Sequence, residues 1–410
     1  MSSHSINKPS TQERQVVGVL FLSQLLNVLE FMMIMPLGPD VAKELNFDSS
    51  QLGLVGSSYT FSAAFAGILG SFFLDRFPRR NILCFSILGL GLATLLATRA
   101  DSFSSLIFAR VLSGAMGGPL SSIVMAMVSD AVPPARRGKA IGIVMGAFAV
   151  ASIVGIPFGL ELALWGSWRT PFYALTLLAL VLFVFVQMNL NILNTDEHQA
   201  PQKNRTEHNQ LITGMYQNPA VRMSLLAIPT IFAGNFMIIP NIASYVQNNL
   251  HYPREHMSQL YLYGGLAALF TTQLGGRLCD RWGPVVINSV GTVLLIVPLV
   301  LGFMIEPALI PVSFIFISFM AASTLRNVSF FSQTSQIPSQ QYRAQFMSMQ
   351  SALNHFSVAL GAYASASMLS EGPSRRLMGM HNVAIIALCI GLTTPWLLSR
   401  VQKKAQTTVG

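Results

Sequence analysis

Acidic residues are scarce in this sequence: 16 Asp and Glu stand against 25 Lys and Arg in 410 residues. Charged side chains of both signs make up only 10% of the chain. A water-soluble domain carries about a quarter, so a soluble globular protein is excluded. Cysteine is rarer still. Cys84, Cys279 and Cys389 all lie in or beside apolar runs, which leaves no disulfide framework and no thiolate zinc site. The phosphate-cradling GxxxxGK[ST] loop that ATP-driven pumping needs is missing. No serine or cysteine nucleophile is set beside a base, and His251 and His256 lack the spacing and companion ligands of a metal site. These absences point away from an enzyme and imply no cofactor.

Apolar residues are what the chain has. They make up 52% of it and gather into runs of roughly 20, the length of a helix that spans about 30 Å of hydrocarbon. Twelve such runs are expected at 16–37, 52–74, 82–98, 106–128, 140–164, 172–193, 223–246, 260–278, 285–304, 310–331, 346–369 and 381–398. The first is too long for a signal peptide and is read as a retained helix. The fold class is therefore an all-α membrane protein with twelve transmembrane helices in two six-helix, pseudo-symmetric bundles. The expected units are a tail (1–15), a first bundle (16–193), a polar linker (194–220), a second bundle (221–400) and a tail (401–410).

The net charge of +9 does not imply nucleic acid, because the basic residues are sorted by side. Alternate loops hold Arg76, Arg79, Arg80, Arg136, Arg137, Lys139, Lys203, Arg205, Arg277, Arg281 and Arg343, together with Arg400, Lys403 and Lys404 in the terminal segment. The intervening loops hold only Lys43, Arg99, Arg169, Arg254, Arg375 and Arg376. Positive-inside bias then puts both termini and the linker in the cytoplasm. The halves also repeat. "DR" occurs at Asp75–Arg76 and at Asp280–Arg281, 205 residues apart, each in the short turn after the second helix of its half. Parallel repeats of this kind place a solute site between the halves near mid-membrane.

"GSFFLDRFPRRN" (70–81) and "GGRLCDRWGP" (275–284) resemble the G-x-x-x-D-R-x-G-[RK]-[RK] loop of the major facilitator superfamily. "ARVLSGAMGG" (109–118) resembles its fourth-helix R-x-x-x-G motif, and "SIVGIPFG" (152–159) the fifth-helix glycine-proline motif of its antiporter branch. Ser71 and Pro78 depart from the loop's glycines. The pattern is similar to the 12-helix drug:proton antiporters and sugar-efflux permeases. That resemblance implies gating roles for Asp75, Arg76, Arg79, Arg80, Gly276, Asp280 and Arg281, with Asp130 and Arg343 as partners of the first loop. It also implies a role for Gly155, Pro157 and Gly159, as a packing kink or as a hinge against leak.

Three charges fall inside apolar runs: Glu30, Arg110 and Arg326. An ionisable group there costs several kcal/mol on some scales and is by default a functional hypothesis. In the resembled family the first and fourth helices line the central cavity, so Glu30 and Arg110 are expected to face each other, as a proton site or as a static ion pair. Asn27 lies one turn from Glu30. Ser113, Gly114, Gly117 and Ser121 continue the Arg110 face with small side chains that would leave room for a solute. Arg326 is expected to snorkel to the surface or to meet an anionic solute. Asn235, Gln273, Asn354 and His355 are the further polar candidates for the cavity, and Tyr59, Phe232, Phe236 and Tyr263 its candidate aromatic walls.

The function expected is secondary transport: export of a small amphipathic solute by proton antiport, with protons as the only coupling ion. The partners would be the solute and the bilayer, with no nucleic acid, and the protein would act as a monomer in the inner membrane. Two alternatives stay open: an importer or facilitator of an organic anion held by Arg110 and Arg326, and a non-transporting receptor of the same fold.

Overall fold

The computed structural model describes residues 10–73, 77–188, 214–305, 308–337 and 343–409. Among them the first half contributes α1 (Thr11–Met33), α2 (Leu52–Phe73), α3 (Arg79–Thr98), α4 (Phe103–Ala131), α5 (Arg136–Trp165) and α6 (Thr170–Met188). The second contributes α7 (Pro219–Asn249), α8 (Met257–Trp282), α9 (Pro284–Met304), α10 (Val312–Thr334), α11 (Arg343–Met368) and α12 (Met380–Val409). A two-stranded antiparallel hairpin, β1 (Ser370–Glu371) with β2 (Leu377–Met378), joins α11 to α12. Ten of these helices are long and apolar enough to cross a membrane, so the chain is a multi-pass membrane protein. The other two, α8 and α11, have 26 residues each and are the more polar pair, carrying Thr271, Thr272 and Gln273, and Gln350, Asn354 and His355.

Packing repeats with an offset of six helices. In the first half α4 packs on α2 and α3; in the second α10 packs on α8 and α9. The halves meet along two seams, α2 with α11 and α5 with α8, which exchange under the same offset. Both seams are made by small residues. Gly53 lies against the backbone of Ala362 and the methyl of Ala366, and Gly265 against the Ser152 carbonyl. Without a hydrophobic drive between helices in lipid, such close backbone approach is what holds a membrane interface together.

Several ends differ from the apolar runs. α1 starts at Thr11, inside the expected tail, because the Ser10 hydroxyl accepts the Glu13 N–H at 3.0 Å and caps it. It stops at Met33 rather than 37, just before Pro36, which has no N–H to continue the helix. α7 begins at Pro219, within the expected linker, after Asn218 accepts the Ala220 N–H at 2.9 Å. α12 continues to Val409, so the expected tail at 401–410 is largely helical. A helix need not stop where its apolar residues do. The remainder of the linker, 194–213, lies outside the described residues, as do Asp75 and Arg76.

The small residues of α4 are used for packing. A Cβ at Gly114 would overlap the Tyr59 carbonyl, one at Gly117 the Tyr59 hydroxyl and the Asn27 amide, and one at Gly118 the Ala63 carbonyl. At Gly114 and Gly117 the room expected for a solute is taken by α2 and by Asn27, and Ser113 is fully buried. Gly114→Val should therefore lower stability by about 1–3 kcal/mol through overpacking against backbone, read as earlier unfolding in detergent. Gly67→Ala, where no atom lies within 4 Å, is the control and should not lower stability.

Candidate functional site

Glu30 and Arg110 are both fully buried, with 0% exposure of either side chain, and meet through Arg110 Nη1 and Glu30 Oε1 at 2.5 Å. The same nitrogen donates to the Glu30 carbonyl at 3.2 Å, and Nη2 donates to the Phe31 carbonyl at 3.4 Å. The guanidinium lies over the Tyr59 ring, 4.8 Å from its centroid, a cation–π contact that strengthens when desolvated. Tyr59 in turn donates to Asn27 Oδ1 at 2.8 Å, and Asn27 donates to the Gly117 carbonyl at 3.1 Å. The expected pair is thus real, and α2 completes it. Ser113 is also fully buried and adjoins the carboxyl. Glu30 Oε2 and Arg110 Nε are left without hydrogen-bond partners among the described residues, so the pair is not fully saturated.

Arg326 does not snorkel. It is 1% exposed because acceptors surround it: Nη2 donates to Thr394 Oγ1 at 2.9 Å and to the Gly391 carbonyl at 3.3 Å, and Nη1 reaches Asn235 Oδ1 at 3.5 Å. Asn288 donates to the Arg326 carbonyl at 3.2 Å. No carboxylate pairs with Arg326 among the described residues. Asn235 stands 205 residues after Glu30, the offset of the repeated "DR". The second half thus holds an amide against its arginine where the first holds an acid.

The other candidates scatter. Asn354 and His355 are half-buried on α11, and Gln273 is exposed on α8. Of the aromatic candidates, Tyr263 is 53% exposed, whereas Phe232 packs on Phe330 and Phe331. Phe236 stacks on a ring that sequence reasoning missed, Phe31, with centroids 6.1 Å apart and planes 27° apart. Phe31 stacks on Tyr59 at 5.1 Å on its other side. A signal for Phe31 exists: Phe236 is 205 residues further on.

Of the residues to which the resemblance gives gating roles, Arg79 pairs with Asp130, and Arg80 donates to Gln187 at 2.8 Å. Asp280 and Arg281 are exposed, Arg281 lying 6.0 Å from the Trp282 ring centroid. Gly283 turns α8 into α9 at φ +83°, a conformation suited to glycine, while nothing lies near Gly276. Arg343 opens α11. The fifth-helix motif combines a kink with tight packing. α5 passes through a π turn at Ala151–Gly155 just before Pro157, and Gly155 and Gly159 seat Leu29 and Met33 of α1. Polar contacts join the halves at the end of the bundle remote from the termini. Arg254 clasps Asp40 at 2.7 and 2.8 Å, Glu371 accepts the Ser49 N–H at 2.6 Å, and Ser258 donates to Glu161.

Two helical repeats packed around charges buried at their centre describe a membrane carrier of small molecules. The chain belongs to the Major Facilitator Superfamily, whose family model matches residues 20–362. It is 26% identical over 269 residues to the "Purine ribonucleoside efflux pump NepI" of Shigella sonnei (strain Ss046), covering 65% of each chain. The protein of the same name in Escherichia coli O6:K15:H31 (strain 536 / UPEC) is 26% identical over 282 residues, 68% of each. The matched segment thus spans about two thirds of these relatives' length. Among solved structures, a bacterial homolog of the human lysosomal transporter Spinster, inward-facing and unoccupied, superposes with a TM-score of 0.77 at 15% identity, covering 98% of this chain and 99% of that one. A D-xylose-proton symporter gives 0.75 at 16%, covering 94% and 97%. At these identities the likeness is one of fold.

Proposed function

We propose that this chain is a secondary active transporter that exports a small amphipathic solute in exchange for protons, by alternating access. It sits in the inner membrane as a monomer, with both termini in the cytoplasm. The observation that carries the reading is the Glu30–Arg110 pair: a carboxyl at zero exposure, on a helix at the centre of the bundle, held by one arginine, with its second oxygen lacking a hydrogen-bond partner among the described residues. Such a group couples a solute to a proton when the two conformations of the carrier hold the proton differently. Polar contacts tie the halves together at the end remote from the termini, which supports solute entry from the cytoplasmic side. The efflux pumps it resembles favour export, and the purine ribonucleosides in their names are the first solutes to try.

Purified protein in vesicles loaded with adenosine should release it faster when the medium outside is more acidic than the lumen, with protons moving inward. Release that ignores the gradient would leave a facilitator, and no release of any solute a receptor. One observation favours a second reading. Arg326 is a buried cation with no carboxylate partner among the described residues, the feature an organic-anion carrier would need. In that case benzoate, not adenosine, would move in the same vesicles.

A further inference from the structure

Phe31 and Phe236 are equivalent positions in the two halves, separated by the 205-residue offset that also relates Asp75 to Asp280. They are in contact with each other. Two equivalent residues can touch only where the pseudo-two-fold axis passes between them, and in parallel six-helix repeats the solute site lies at the interface of the halves. Both rings are half-buried, although their chain neighbours Glu30 and Asn235 are 0% and 3% exposed. Their remaining exposed surface thus lies where the halves meet.

We infer that Phe31 and Phe236 form a two-sided clamp for a planar heteroaromatic ring, the base of a nucleoside, at the centre of the transport path. The inference rests on the export reading above and names its substrate class. The rings are already nearly parallel, with centroids 6.1 Å apart. Intercalating a base needs about 7 Å, twice the roughly 3.4 Å spacing of stacked bases, so a small rocking of one half against the other admits it. With no solute the rings stack on each other and cover their own apolar faces.

The clamp is also wired to the charge pair. The Phe31 carbonyl accepts from Arg110 Nη2 at 3.4 Å, and Tyr59, beneath the same guanidinium, stacks on Phe31. Moving the Phe31 ring to admit a base disturbs contacts that hold Arg110 on Glu30. Solute entry and proton release are thereby joined within two adjacent residues of α1. On the other side, Phe232 lies one turn before Phe236 and continues the aromatic surface to Phe331, which gives a bulky base a wall to enter along.

The test uses the full-length protein. Adenosine binding by calorimetry should weaken about tenfold in Phe236→Leu and in Phe31→Leu, the loss of one base–aromatic stack, and should be retained in Phe236→Tyr. Unchanged binding in a folded Phe236→Leu overturns the clamp and leaves proton-coupled export standing. If adenosine and other heteroaromatic solutes neither bind nor move in the parent protein, the clamp fails together with its substrate class, while gradient-driven flux of a non-aromatic solute would still uphold export. Should the leucine variants not fold, the unaltered protein can be photolabelled with 8-azidoadenosine. Adducts on Phe31 or Phe236 support the clamp, and adducts only elsewhere overturn it.

Discussion

Arg110→Ala should be the most damaging single change in the protein, abolishing transport and lowering stability by about 3–5 kcal/mol, the cost of breaking a buried pair by removing one partner. The substitution strands the Glu30 carboxyl at zero exposure, since Oε1 loses its partner and Oε2 has none among the described residues. It also leaves the carbonyls of Glu30 and Phe31 without their donor and removes the cation held over Tyr59. Arg110→Lys keeps the charge but not the planar fork that reaches a carboxylate and two carbonyls together, so it should fall between parent and alanine. Thermal unfolding in one detergent, with flux in vesicles, checks both statements. An alanine variant that melted and transported like the parent would remove the pair from any central role.

Charge was the legible part of this site. Glu30, Arg110 and Arg326 stand out because ionisable groups in apolar runs are rare, and the structure places all three at the heart of their halves. What surrounds them was not legible. The small-residue face of α4 is plain in the sequence, but nothing there says that Tyr59 and Asn27, 90 residues or fewer away, fill the space beside it. Arg326 reads as a snorkelling cation because depth along one helix does not reveal acceptors on another. Thr394 and Gly391 lie 65 or more residues further on, in a helix that carries no charge at that level. Hydroxyl, amide and carbonyl oxygens meet in part the need that an anionic solute was expected to fill.

Long apolar runs located the helices, since each must satisfy its backbone internally in lipid. Their ends followed other rules. Ser10 and Asn218 cap helices in polar sequence, and α12 runs on past its apolar stretch, because capping and helix propensity act in water as well as in lipid. Phe31 escaped notice for a different reason: one phenylalanine among 27 carries no signal alone. It acquires one only when the repeat offset from the "DR" loops is carried into the first helix of each half, where it pairs Glu30 with Asn235 and Phe31 with Phe236. The exchange of acid for amide then becomes visible as the difference between the halves: among the described residues Arg110 meets a carboxyl, whereas Arg326 meets an amide, a hydroxyl and a carbonyl.

That difference makes Glu30→Gln the decisive substitution for coupling. Glutamine is the neutral isostere of the protonated acid, so the variant is fixed in one proton state and makes the first half resemble the second, where an amide faces an arginine. Gradient-driven export of adenosine should disappear. Folding should survive, because Arg110 keeps its two carbonyl acceptors and its place over Tyr59, and an amide oxygen can still accept from Nη1. Exchange of labelled for unlabelled adenosine across the vesicle should persist, since it needs the solute site and the conformational change but no net proton movement. Loss of net export with retention of exchange separates coupling from binding. If Glu30→Gln exported at the parental rate under a pH gradient, the carboxyl would carry no transported proton. The pair would then be a static contact that fixes α1 against α4, and the coupling group would have to be sought elsewhere in the bundle.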